Sequence, residues 1–261
     1  MMDRMRSSVR RLHFGRSCTV LALATTALLP GAQAADPNAR TGLLWGDLHV
    51  HSSYSLDAYA TDNDSVTPDL SYRFARGIPI RRPGLDAKVE IRRPLDFMAV
   101  TDHAELIGLQ VLLDQRNPLL LSTPWGKKML AIHLDPKSGG VMRASGGAAG
   151  ADSPERREML GQIFSPALRQ ATWQAEIDAA ERNNVPGKFT TLFGWEWSSM
   201  PGGKNLHRVV LTDATPAQAR QFYPYSNFES ARPEDLWAFL EATRRRVGAD
   251  FVAIPHNSNI S

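Results

Sequence analysis

Residues 42–58 read GLLWGDLHVHSSYSLDA. An apolar run stops there at two histidines one residue apart, with Asp47 before them, Asp57 after them and serines between. Residues i and i+2 of an extended chain point to the same side. His49 and His51 can therefore aim both imidazoles at one point just past a strand. In a parallel α/β sheet or barrel, ligands and catalytic groups gather at the carboxyl ends of the strands, where several loops converge. The stretch raises the question of whether other strands deliver similar groups to the same end.

Four further runs read as strands: LDFMAV (95–100), KFTTLFGW (188–195), HRVVLT (207–212) and ADFVAI (249–254). Their near-continuous hydrophobicity suits strands buried on both faces, as in parallel sheets. Helical patterns lie between some of them. Pro68 and Asp69 open a helix through DLSYRFARG, stopped by Gly77; residues 153–184 give two helices broken at Ser165-Pro166. Pro233 and Glu234 start a helix with Leu236, Phe239 and Leu240 on one stripe, Arg244 to Arg246 in its last turn and Gly248 at its end. With the strands on either side it forms a βαβ unit, which predicts an α/β fold with a parallel sheet. Residues 78–94 read as a hairpin-like excursion, and the glycine- and serine-rich stretch 135–153 as a flexible surface insertion. No internal repeat is present.

The first 34 residues stand apart. Arg4, Arg6, Arg10, Arg11 and Arg16 precede the mostly apolar SCTVLALATTALLP, and AQAAD follows with small residues at Ala32 and Ala34. This pattern predicts a secretory signal cleaved after Ala34, and hence a periplasmic or secreted protein without a stable membrane anchor. The apolar run is short for a span and is broken by Pro30. Residues 35–261 then retain 25 basic and 26 acidic residues, a formal net charge of −1. That balance argues against a nucleic-acid partner, which needs a basic surface. The single cysteine, Cys18, falls within the signal, so thiolate metal sites, cysteine nucleophiles and a disulfide scaffold are excluded from the remainder.

Six histidines remain, and five stand at strand termini: His49 and His51, His103 after FMAVTD, His207 opening HRVVLT, and His256 after FVAIP. Glu196, in GWEWS, also lies just past a strand. Only His133 lacks such a setting. A lone strand-end histidine is more often a hydrogen-bonded structural residue, and Asp102 can equally cap a following helix. Trp195 and Trp197 fit core packing, and Arg208 fits a solvated side chain. Five histidines at strand termini are not what core filling produces. Imidazoles and carboxylates together make a nitrogen/oxygen site suited to zinc, manganese or iron, in which a carboxylate can bridge two ions.

In this order the motifs DLHVHSSYSLDA, AVTDHAE, GWEWS, NLHRVV and IPHN resemble the polymerase-and-histidinol-phosphatase (PHP) family of metal-dependent hydrolases. They are more similar still to its exported branch, domain-of-unknown-function family 3604, in which YRFARG before PLDFMAVTDHAE is typical. The resemblance runs from about Leu43 to the chain end. It implies a distorted (β/α)7 barrel over 35–261 and a cluster of two or three divalent ions (Zn, Mn or Fe). His49, His51, Asp57, His103, Glu196, His207 and His256 would be the ligands, with Glu196 shared between ions and Glu196 and His103 in catalytic roles. Asp47 and Asp102, beside ligands, would orient imidazoles.

The resulting expectation is a phosphoesterase acting on a small molecule through a metal-bound hydroxide. The same site serves other esters, sulfates or amides, and a metal-binding protein without catalysis is a further alternative. No serine nucleophile is needed, and HSSYS is explained as turn and imidazole-orienting residues. The sequence identifies no substrate-binding residue. The chain is also expected to be the amino-terminal part of a longer protein, with the barrel incomplete at its carboxyl edge. The family's last ligands normally follow the motif that holds His256, so this fragment is expected to be weakly active.

Overall fold

Prolines mark where much of the helical frame begins. In the computed structural model, which describes residues 42–81, 87–146 and 152–256, the first strand β1 (Gly46–Val50) is followed by α1 (Leu56–Ala60) and α2 (Pro68–Ala75). The short antiparallel pair β2 (Ile80–Arg81) and β3 (Lys88–Val89) comes next, then β4 (Phe97–Val100). Five helices follow: α3 (Leu109–Asp114), α4 (Pro118–Leu121), α5 (Pro124–Leu134), α6 (Gly140–Ser145) and α7 (Pro154–Ile163). The long α8 (Pro166–Asn183) leads to β5 (Thr190–Trp197), β6 (Arg208–Thr212), α9 (Pro216–Ala219), α10 (Pro233–Val247) and β7 (Phe251–Pro255). In six helices a Ser, Thr or Asn side chain accepts a backbone N–H of the first turn while proline fills the next position: Thr67, Asn117, Thr123, Ser153, Ser165 and Thr215. Proline lacks the N–H that would be left unbonded there, and its φ is already helical. The expected signal at 1–34 and the chain end beyond His256 lie outside the described residues, as do residues 82–86 and 147–151.

The fold is mixed α/β, with a five-stranded sheet in the order β1-β4-β5-β6-β7 curled into a half-barrel. The expectation of a wholly parallel sheet is corrected. β1, β4 and β5 pair in parallel, but β6 runs antiparallel to β5, and β7 antiparallel to β6. Only residues 198–207 separate β5 from β6, fewer than a parallel crossover needs. The connection through α10 leaves and re-enters at one end of the sheet, so it is a helical hairpin and not the βαβ crossover anticipated. This reversal matters for the site. Because Trp197 pairs with Arg208 and Arg208 with Pro255, the start of β6 lies level with the ends of β5 and β7. A parallel β6 would have carried His207 to the opposite end.

Side-chain alternation divides the sheet into two faces. Met98, Val100, Phe193, Trp195, Trp197 and Val210 pack under α2, α8 and α10 with Tyr72, Trp173, Ile177 and Leu236, forming the main core. On the other face Ala99, Val209 and Leu211 meet Leu48 and Leu192. Gly194 belongs to that second face, where a Cβ would stand 2.6 Å from the carbonyl oxygen of Val210. The central strands are buried, whereas Val252 and Ile254 of β7 are exposed, so apolar character did not guarantee cover on both sides. A separate apolar cluster joins Leu56 of α1 to Leu113, Leu120, Met129, Val141 and Met159 from α3 to α7. Val141 and Ser145 are buried within α6, so part of the stretch expected to be a flexible loop is helix.

Candidate metal centre

Alternation carries the second face to the sheet's rim. His103 continues the series of Ala99, Glu196 that of Leu192 and Gly194, and His207 that of Val209 and Leu211. A parallel bridge joins His103 to Glu196, and His256 N donates to His207 O (3.1 Å). His49 and His51 arrive from β1, whose register shifts between Asp47 and Val50; such a bulge re-aims side chains. Asp57 is presented by α1, directly after the serine turn.

These seven side chains meet at one place. Glu196 is buried at its centre. Its Oε2 lies 3.0 Å from His51 Nε2, 3.3 Å from His103 Nδ1 and 3.4 Å from His49 Nε2. Its Oε1 lies 2.8 Å from His207 Nδ1 and 3.9 Å from His256 Nε2. Asp57 spans His51 Nδ1 (3.5 Å) and His103 Nε2 (3.4 Å). Three overlapping groups bring one donor atom per residue within 4.8 Å of one another: His49–Glu196–His256, His51–Asp57–His103 and His103–Glu196–His207.

The donors suit a divalent cation. Ligand atoms about 2.0–2.2 Å from a tetrahedral ion stand about 3.4 Å apart, close to the spacings around Glu196. His49 Nε2 and His51 Nε2 are only 3.0 Å apart, with a carboxylate oxygen beside both. The buried His207 Nε2 has no hydrogen-bond partner among the described residues. A cation would satisfy such an arrangement of lone pairs; without one, protons do so. Burial disfavours a charged His51, but Asp57 and Glu196 outweigh it and push its pKa up to about 10. His103 rises likewise, burial opposing and Asp57 with Glu196 prevailing. Burial alone would raise Asp57 and Glu196, yet the imidazoles hold both well below the usual carboxylate range.

The family described as "Protein of unknown function (DUF3604)" matches residues 38–261. The chain belongs to this family. No curated protein and no solved structure matches it.

In this DUF3604 chain the surroundings of the centre are serines and buried acids. Asp102 is fully buried and accepts Ser52 N (2.6 Å), Ser55 Oγ (2.9 Å) and Ser52 Oγ (2.5 Å). It therefore reaches His51 through Ser55, whose Oγ is 2.8 Å from His51 Nδ1, and no helix follows for it to cap. Asp47 is exposed and accepts the backbone N–H of His49 (3.1 Å), which fixes the main chain that carries this imidazole. Ser198 Oγ contacts His103 Nδ1, and the buried Glu105 accepts the N–H groups of Ser198 and Asn227. Ser198, Glu105 and Glu176 are not among the residues singled out from the sequence; the first two close the motifs GWEWS and AVTDHAE, which is the signal that points to them. His133 stands apart, bonded to Asp114 (2.7 Å) beside Tyr59. Arg208 donates to the carbonyls of Leu206 and His207 and so serves the β6 entry.

Proposed function

We propose that this protein is an exported, metal-dependent hydrolase of the PHP type, most plainly a phosphoesterase for a small molecule. The observation that carries the reading is Glu196: a buried carboxylate whose two oxygens face different imidazoles and which belongs to two of the three donor groups. That is the arrangement a carboxylate shared between two cations requires. Bound divalent ions supply an activated water and neutralise charge on phosphoryl oxygens.

The chain's residues then have separable tasks. Glu196 and His103, common to two groups each, hold the shared part of the cluster. His49 with His256, and His51 with Asp57, hold its flanks. Asp57 is about half exposed and His49 one-third exposed, which leaves this side open to a substrate, while the Trp195 and Trp197 face is sealed. The five-stranded half-barrel is, on this reading, part of a PHP-type barrel. The formal charge of −1 over residues 35–261 favours a small substrate over a nucleic acid. Export rests on the signal-like residues 1–34; no helix among the described residues is long and apolar enough to cross a membrane. Mass spectrometry of protein from the producing cell is expected to show Ala35 as the first residue, and an intact Met1 form in the cytoplasm would contradict export.

The test of activity is a panel of phosphate, sulfate, carboxylate-ester and amide substrates offered to the chain loaded with zinc, manganese or iron. Phosphate release that chelator and His103→Ala both abolish supports the proposal. Turnover of another class alone reassigns the bond. No turnover by a loaded chain overturns catalysis.

A further inference from the structure

The histidine that stands outside the cluster belongs to a connected group of its own. His133, in the last turn of α5, has Nε2 2.7 Å from Asp114 Oδ1. The other carboxylate oxygen, Oδ2, accepts the hydroxyl of Tyr59 (2.7 Å), and the rings of Tyr59 and His133 stand 5.9 Å apart. A carboxylate only accepts, so His133 N–H and Tyr59 O–H both donate and fix Asp114 from two sides. A lone exposed ion pair would hold little. Here the histidine side chain is mostly buried, and each oxygen has its own donor.

Tyr59 sits on α1, the five-residue helix that also carries Asp57. A helix of that length does not sustain itself in water. At its N-cap, Ser55 directs its hydroxyl to Asp102 and His51 and not to a backbone N–H of α1. Tertiary contacts therefore hold it in place. Leu56 supplies one, buried in the second apolar cluster with Leu113 of α3. Tyr59 supplies another, bonded to Asp114 at the end of α3.

Helix geometry links this contact to the metal centre. Leu56 and Tyr59 are three residues apart and share a side of α1. Asp57 is two residues from Tyr59, about 200° round the axis, and points the other way, to His51 and His103. A rotation of α1 that released Tyr59 would swing Asp57 away from both imidazoles. Because α3 follows the segment that carries His103, Asp114 joins the two stretches of chain whose side chains meet at 3.4 Å in the cluster.

We propose that Tyr59, Asp114 and His133 form a clamp of positioning residues that sets the rotation of α1 and so places Asp57. The ligand role of Asp57 rests on the function proposed above; the clamp on α1 does not.

The test uses the full chain and two readouts. In the ion-free protein, hydrogen–deuterium exchange of the peptide covering residues 55–63 should be roughly tenfold faster in Tyr59→Phe, which loses one hydrogen bond to a charged group. Exchange in the central sheet should not change. His133→Leu should act in the same direction, and His133→Gln, which keeps an N–H donor, should act less. Unchanged exchange in Tyr59→Phe overturns the clamp, and equal effects of the two His133 variants remove His133 from it. In zinc titrations, with circular dichroism showing a retained fold, Tyr59→Phe should lose roughly tenfold in affinity, the usual effect of removing a group that orients a ligand. Asp57→Ala should lose at least as much, and adding Tyr59→Phe to Asp57→Ala should cost nothing further, because the tyrosine acts through the aspartate. Wild-type affinity in Tyr59→Phe, or losses that add in the double variant, removes the positioning role. If wild type binds no zinc, the proposed function fails, and exchange alone then decides whether the clamp holds α1.

Discussion

Replacing Glu196 with glutamine removes one charge and little else. The carboxylate has five imidazoles within 3.9 Å and is almost wholly shielded from water. A unit charge pair at about 4 Å is worth about 4 kcal/mol at an effective dielectric constant of about 20, and a divalent ion doubles that. If relaxation and entering water halve the total, about 4 kcal/mol remains, or roughly a thousandfold in Kd. The assay is competition for zinc against a fluorescent chelator, with circular dichroism confirming equal folding. Glu196→Gln should bind at least a hundredfold more weakly than wild type, and in the ion-free variant His51 should titrate closer to its ordinary 6.5 than to about 10. A Kd within threefold of wild type would refute the reasoning, because a carboxylate between two ions cannot be that dispensable.

Three other outcomes follow from the same geometry. In chelator, the stabilisation from His51 is complete below its ordinary pKa of 6.5 and disappears as pH rises through about 10, while that from Asp57 and Glu196 is lost as pH falls through and below the carboxylate range. The ion-free melting temperature should therefore decline from pH 6.5 to 10, whereas zinc affinity should rise as protons cease to compete; a flat ion-free profile contradicts this. His51→Ala and His103→Ala should each release bound metal, measured by elemental analysis, yet stay folded, since neither belongs to the apolar clusters; unfolding of both would make the histidines structural. Gly194→Ala should destabilise by about 1–3 kcal/mol in a denaturant melt, because its Cβ meets the backbone of Val210; an unchanged midpoint would show that β5 and β6 can move apart.

The five strands were legible because buried strands read as apolar runs, but periodicity carries no direction. The reversal at β6 was visible only in the shortness of 198–207. Helices α4 and α5 went unread although Asn117-Pro118 and Thr123-Pro124 are the same cap signals that marked α7 and α8. In 135–153, glycine and serine content outweighed Val141, the residue that fastens α6 to the second cluster. The strand-end histidines and Glu196 stood out because they are metal-binding types at positions where loops converge. Glu176 did not, because glutamate in a helix ordinarily faces water; only its place in the buried stripe of Trp173, Ile177 and Ala180 gives it away. Asp47 stands two residues before a ligand in sequence, and its carboxylate accepts the main-chain N–H of that ligand, His49.

The central claim is that divalent ions sit among these seven side chains. Crystals of the chain grown with zinc or manganese, measured on both sides of the metal's absorption edge, test it directly. At least two anomalous peaks are expected, each within about 2.0–2.2 Å of donor atoms from His49, His51, Asp57, His103, Glu196, His207 or His256. A metal-saturated crystal with no peak within coordinating distance of Glu196 would contradict the account.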